Sequence, residues 1–407
     1  MTAPDEPTDG TGAQGLPRLH ILPKHGRRMR QGHPWLYSNE LKLTADDKAL
    51  PPGSPVNLVA DDGHLYGTAL FNARPLICAR LIDRRPDVVP DRDWFARRFE
   101  AALNLRRRLV GRPYYRLIHA EADGLPGVIV DRYGDAAAVQ INVAGFERLA
   151  EPLVEALRAV TGVATVVRRN DTPARAVEGL GGDDSVVGPV PTDAVAVEEG
   201  EARFFADLTT GQKTGWFYDQ RDNRAFVATL CGGARMLDVY SHSGGFAIQA
   251  ARAGAESVTA VDRSDHALAL ARRAAEDNGV AARCSFVKAE AFAELAALAE
   301  RGARFDVVVC DPPAFAKSKK DLHAAVRGYH KLTRLAARLV APGGFLFVAS
   351  CSHNVPVDSF AAAVTAGIHD ARRGGRILRQ SGAAPDHPVH PHLPETAYLK
   401  AVTLQLD

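Results

Sequence analysis

The most constraining stretch of this chain is Leu237-Asp238-Val239-Tyr240-Ser241-His242-Ser243-Gly244-Gly245-Phe246. An apolar lead-in, a turn with paired glycines and an alanine-rich run from Ala247 to Arg252 read as strand, tight turn and helix. Gly244 and Gly245 let backbone approach a ligand closely, and the helix that follows presents unpaired amides there. About 20 residues on, Val258-Thr259-Ala260-Val261-Asp262 reads as a second strand ending in an acid, suited to a ribose diol. Strands and helices then alternate from Arg235 to about Ala349, the rhythm of a parallel, doubly wound α/β sheet. Dinucleotide enzymes share the plan but use G-x-G-x-x-G, which this turn lacks.

Downstream, Phe305-Asp306-Val307-Val308-Val309-Cys310 predicts a buried strand running into Asp311-Pro312-Pro313-Ala314-Phe315. Here the chain resembles the class I S-adenosylmethionine methyltransferases that act on nucleobases. The prolines fix φ and remove donors, leaving backbone carbonyls and the Asp311 carboxylate to face a base. The chain has 407 residues, 46% of them hydrophobic, enough for several cored domains. No run of about 18 apolar residues predicts a membrane span. Residues 1–17 are polar and read as a disordered tail, unlike a signal peptide. The five cysteines (Cys78, Cys231, Cys284, Cys310 and Cys351) form no C-x-x-C pair, which points away from zinc and disulfides and towards a reducing cytoplasm.

A net charge of +2 hides an asymmetry. Residues 18–116 carry 19 Lys and Arg against 10 Asp and Glu, whereas residues 117–205 carry 7 against 15. A basic front module suggests a polyanion partner. Residues 18–88 show short β-type runs between turns, a small barrel pattern, with a hairpin signal at Asp61-Asp62-Gly63. Within them Arg30 to Glu40 resembles the opening of a PUA domain, an RNA-binding fold. Lys24, Arg27, Arg28 and Arg30 beside it suit phosphates. Trp35 and Tyr37 are assigned to core packing in preference to base stacking. Residues 89–195 read as a small α+β module whose stretch Arg116 to Gly127 is turn-rich; His119, Glu121 and Asp123 fit no metal motif. Residues 196–407 form the predicted catalytic domain.

Taken together, residues 18–407 resemble the PUA-containing 23S rRNA (cytosine-C5) methyltransferases. Gln212 to Arg224, Asp311 to Phe315, Ser350 to Ser352 and Pro385 to Lys400 carry the resemblance. It implies S-adenosylmethionine as cofactor and 23S ribosomal RNA or a large-subunit precursor as partner; a homodimer is compatible with it. It places Gln220, Arg221 and Arg224 near the methionine carboxylate. Asp238, Tyr240, Ser241, Gly244, Gly245, Asp262, Asp311 and Pro312 line the cofactor site, and Glu290 stands where the family holds an acid for the adenine amino group. No metal is expected. Lys317 and Lys319, after the Asp-Pro-Pro, suit RNA phosphates.

Cytosine C5 is too weak a nucleophile to take a methyl group directly, and thiolate addition at C6 activates it. Cys351, at the carboxyl end of the strand Phe345 to Ala349, is the expected nucleophile, with Asp311 on the base edge. Ala314 stands where several relatives keep a second cysteine, so the group removing the C5 proton is unassigned; Cys310 is assigned to the core. The rival readings are methylation of guanine or another base nitrogen, which needs no thiol, and a ribosome-assembly RNA binder without turnover.

Overall fold

The structure, a computed structural model, describes residues 15–182, 184–211 and 214–407. Most of the stretch read as a tail, and Gln212-Lys213 of the motif, lie outside the described residues.

The front module is a six-stranded sheet in the order Trp35–Tyr37, Ile77–Asp83, Leu65–Phe71, Ser54–Val59, Arg18–Ile21, Leu41–Lys42. Gly63, at φ +82°, turns the hairpin that Asp61-Asp62-Gly63 predicts. Leu19, Leu36, Val56, Leu58, Phe71 and Cys78 fill its core. The module docks on its neighbour through Leu70 and Ile82, which join the neighbour's apolar core, and through polar contacts. Trp35 Nε1 donates to Glu121 Oε1 at 2.9 Å, and Arg80 pairs with buried Glu178 at 2.8 Å. Trp35 thus serves an interface between modules.

The central module opens with the helix Arg92–Leu109, capped by Asp91, whose carboxylate accepts the Trp94 amide. Its sheet runs Ser185–Val187, Thr165–Arg168, Ala136–Ile141, Val128–Tyr133, Tyr114–His119. Trp94, Phe95, Phe99, Phe146 and Leu153 pack helices onto that sheet. The start of the stretch read as turns is therefore strand: Tyr114–His119 pairs antiparallel with Val128–Tyr133, and the turn chemistry is confined to Ala120–Asp123 and the glycines after it. Long-range pairing overrides local composition there.

After the hairpin Val195–Glu199/Ala202–Ala206 comes a seven-stranded sheet. Its strands are β1 (Arg235–Val239), β2 (Ser257–Asp262), β3 (Cys284–Lys288), β4 (Phe305–Cys310), β5 (Val340–Ser350), β6 (Gly375–Ser381) and β7 (Lys400–Leu406). Their order is β3-β2-β1-β4-β5-β7-β6, with β1 to β5 parallel and β7 antiparallel to both neighbours. Apolar cores cover both faces, as near-continuous apolar strands such as β4 require. Strand order reverses between β1 and β4, and a crevice beyond the carboxyl ends at such a switch point is the place for a ligand. Antiparallel β7 brings the segment before it, Pro385 to Leu399, to that same end of the sheet. Among the described residues no helix is long and apolar enough to cross a membrane.

Candidate active site

The turn after β1 has the backbone of a ligand cradle. Tyr240, His242 and Gly244 all have positive φ, at +65°, +48° and +83°. A Cβ on Gly244 would lie 3.0 Å from Ala271 Cβ, and one on Gly245 would lie 2.9 Å from Arg224 Cδ. Asp262, at the end of β2, accepts the amides of His242 and Ser264, both at 2.9 Å, which ties the turn to the second strand. Asp238 is buried and accepts the Ala247 amide at the start of the helix Gly245–Arg252. Burial pushes its carboxyl up to about 8, with the charges of Asp311 and Asp262 adding to the effect. Asp238 Oδ1 and Ser241 Oγ are buried without a hydrogen-bond partner among the described residues. Orphaned polar atoms around a glycine cradle fit a polar ligand such as S-adenosylmethionine. Glu290 is exposed and caps the helix Ala291–Glu300 by accepting the Ala293 amide at 2.9 Å.

Gln220, Arg221 and Arg224 lie where the 3-10 turn Tyr218–Gln220 meets the helix Arg221–Ala228. All three are committed to protein partners. Gln220 Oε1 accepts from Asn223 Nδ2 at 2.7 Å. Arg221 donates to Tyr114 O at 2.6 Å and stands 3.5 Å from Asp386. Arg224 forks onto Glu199 with two bonds of 2.6 Å and also donates to Phe217 O. For Arg224 the geometry shows a buried ion pair at a helix start, where the family resemblance implies a contact to methionine.

The carboxyl ends of β4 and β5 bring the two expected reacting groups together. Cys310 pairs in register with Val348, so Asp311-Pro312 and Cys351 leave the sheet side by side. The half-buried Cys351 thiol donates to Pro312 O at 3.9 Å. Asp311 is half-buried at the crevice, and its amide donates to Val239 O of β1. Cys310 is fully buried, and burial holds its thiol protonated. Alternation along the strand sets the buried Cys310 apart from its neighbour Asp311, as the pattern predicts.

Three further groups brace this end of the sheet. Tyr329, on the helix Leu322–Leu339, accepts from Ser350 Oγ at 2.8 Å and meets Ser352 Oγ at 3.1 Å, gripping both neighbours of Cys351. Lys400, the first residue of β7, donates to Ser352 O at 2.6 Å and Val355 O at 3.0 Å. Tyr398 donates to Asp219 and stacks on His353, at 5.1 Å between ring centres. A wall of buried polar groups joins the central module to this end. Arg106 is bidentate to Asp123 at 2.6 and 2.7 Å and donates to Asp386 O. Asp386 holds His387 Nδ1 at 2.9 Å, and the His387 ring lies 5.1 Å from that of His119. Burial, helped by Arg116, drives His119 down to about 2, so it is neutral. The motif Pro385 to Lys400 supplied a signal for Asp386 and His387; nothing local pointed to Arg106 or Tyr329.

Of the cationic candidates, Lys24, Arg27, Lys317 and Lys319 are exposed. Arg28 is drawn to Glu40 at 2.7 Å, and Arg30 donates to Tyr66 Oη at 2.9 Å.

Residues 107–388 match a family model described as S-adenosylmethionine-dependent methyltransferase, and residues 19–84 match a PUA-like domain. A protein of Aeromonas salmonicida named ribosomal RNA large subunit methyltransferase I is 35% identical over 95% of this chain and 98% of its own length. A Shewanella denitrificans protein of the same name is 34% identical over 96% of this chain and 99% of its own. A solved structure from Streptococcus mutans, assigned as a SAM-dependent methyltransferase, superposes with a TM-score of 0.80 at 20% identity, covering 96% of this chain and 100% of the other. Another methyltransferase structure, complexed with SAH, has the same coverage, a TM-score of 0.82 and 21% identity. The two structures share the fold from the front barrel through β7. The cradle, the family match across most of the chain and the near-full-length relatives together show that the chain belongs to the S-adenosylmethionine-dependent methyltransferases with an N-terminal PUA-like domain.

Proposed function

We propose that this enzyme methylates C5 of a cytosine in 23S ribosomal RNA, with Cys351 as nucleophile and Asp311 on the base edge. One observation carries the reading: a half-buried thiol and the Asp-Pro-Pro turn leave neighbouring strands side by side, with Cys351 3.9 Å from Pro312 O. The names of the relatives support a large-subunit RNA substrate. Gly244, Gly245, Asp238, Tyr240, Ser241 and Asp262, with Pro312 beside them, would hold the cofactor. S-adenosylmethionine supplies an electrophilic methyl group when bound there. The Cys351 thiolate forms a bond to C6, and the electron pair of the C5–C6 bond moves to C5, which becomes nucleophilic. Once C5 is methylated, loss of the C5 proton returns electrons to the ring and expels Cys351 as thiolate. Asp311 and the Pro312 carbonyl, at the end of β4, orient the polar edge of the base. Exposed Lys24 and Arg27 on the front barrel, and Lys317 and Lys319 beside the crevice, meet RNA phosphates. Its scattered thiols suit a reducing cytoplasm.

Cys351→Ala should abolish methyl transfer to RNA while S-adenosylmethionine and RNA binding remain. Wild-type enzyme should be trapped covalently on RNA containing 5-fluorocytosine, because fluorine cannot leave C5 as a proton. Full activity in Cys351→Ala, with methyl on a ring nitrogen or amino group, would replace this reading with the base-nitrogen one.

A further inference from the structure

The loop that carries Cys351 is held by a cation that no carboxylate neutralises among the described residues. Lys400 is 7% exposed and faces Ser350 across the β5–β7 ladder. Two of the three donors of its ammonium are engaged, both by neutral carbonyls, those of Ser352 and Val355. An ammonium withdrawn from water is costly unless an anion accompanies it. Burial lowers the Lys400 pKa, whereas the neighbouring Cys351 sulfur, when ionised, acts to raise it.

The groups placed against Cys351 come from three directions: the Pro312 carbonyl extends from β4, Tyr329 lies on the helix Leu322–Leu339, and Tyr398 and Lys400 stand at the start of β7. Burial raises both tyrosines, so neither brings negative charge near neutral pH. Of these groups, all among the described residues, Lys400 is the cation.

We propose that the Lys400 ammonium stabilises the Cys351 thiolate, making Lys400 a positioning residue that acts through the nucleophile. This rests on the reading of Cys351 as nucleophile. The thiol releases its proton to solvent, the electron pair stays on sulfur, and Lys400 keeps all three of its protons. Tyr329, which grips Ser350 and Ser352 without carrying charge, holds the same loop and serves as the control.

The test is alkylation of the full-length protein by iodoacetamide between pH 5 and 10, with the rate at Cys351 followed by peptide mass spectrometry. Replacing Lys400 by methionine should move the midpoint of the rate profile up by about one pH unit. At pH 7 that is roughly a tenfold slower reaction. Tyr329→Phe should leave the midpoint in place. S-adenosylmethionine affinity and thermal unfolding report whether each variant is folded. Lys400→Gln removes the charge while keeping N–H donors for the two carbonyls, so the measurement survives an unstable methionine variant. A midpoint unchanged without the charge, or raised equally by Tyr329→Phe, would overturn the proposal. Alkylation needs no RNA, so loss of the cytosine-C5 reading through Cys351→Ala is a separate outcome.

Discussion

Replacing Arg224 by methionine separates a structural cation from a cofactor ligand. Arg224 and Glu199 are each less than 5% exposed, and two charge-assisted bonds of 2.6 Å join them. The guanidinium lies over the Trp216 ring at 4.7 Å, and its aliphatic stem fills the space above Gly245. Methionine keeps the stem and strands the Glu199 carboxylate in the interior. Removing one partner of such a pair costs about 3–5 kcal/mol. Arg221 stands 3.9 Å from Glu199 and takes up part of the charge, which favours the lower end of that range. For a domain of about 200 residues, each kcal/mol shifts Tm by roughly 2–4 °C, so a fall of roughly 6–20 °C is expected in calorimetry. The double variant Arg224→Met with Glu199→Leu should recover most of it, because no lone charge remains buried. Calorimetric S-adenosylmethionine binding, measured below the transition, should weaken less than about tenfold, or 1.4 kcal/mol. A variant with unchanged Tm and binding weakened well beyond tenfold would show that the guanidinium serves the cofactor, refuting the structural assignment.

Asp238 gives a pH dependence of defined sign. Its folded pKa, about 8, lies above the ordinary 3.8, so its contribution to stability is fully present below about 4 and is lost as pH rises towards 8. The Tm of Asp238→Asn relative to wild type should therefore climb from pH 5 to pH 8 and level off above; a difference constant with pH would dismiss the buried-acid account. On the RNA side, Lys24→Ala with Arg27→Ala should flatten the log–log salt dependence of binding by about 1.4–1.8, two phosphate contacts' worth, and an unchanged slope would make these cations plain solvated surface.

Local pattern was enough for much of the architecture. The doubly wound sheet, the glycine cradle after β1 and the acid ending β2 follow from periodicity and turn chemistry, which act over a few residues. The placing of Cys310 in the core, apart from its neighbour Asp311, follows from strand alternation, and the front barrel from its short β runs and hairpin signal. What the tertiary structure decided is partnership. Arg224 reads as a ligand for a carboxylate, and the fold sets it against that of Glu199, 25 residues away in the preceding hairpin. Tyr114–His119 became strand through pairing with Val128–Tyr133. Lys400 reaches the loop after Cys351 because β7 runs antiparallel to β5 in a register that sets it opposite Ser350, and Arg106 meets Asp386 across 280 residues of chain. A hydrogen bond or ion pair is settled within a few ångströms, and strand register with module packing determines which distant side chains come that close.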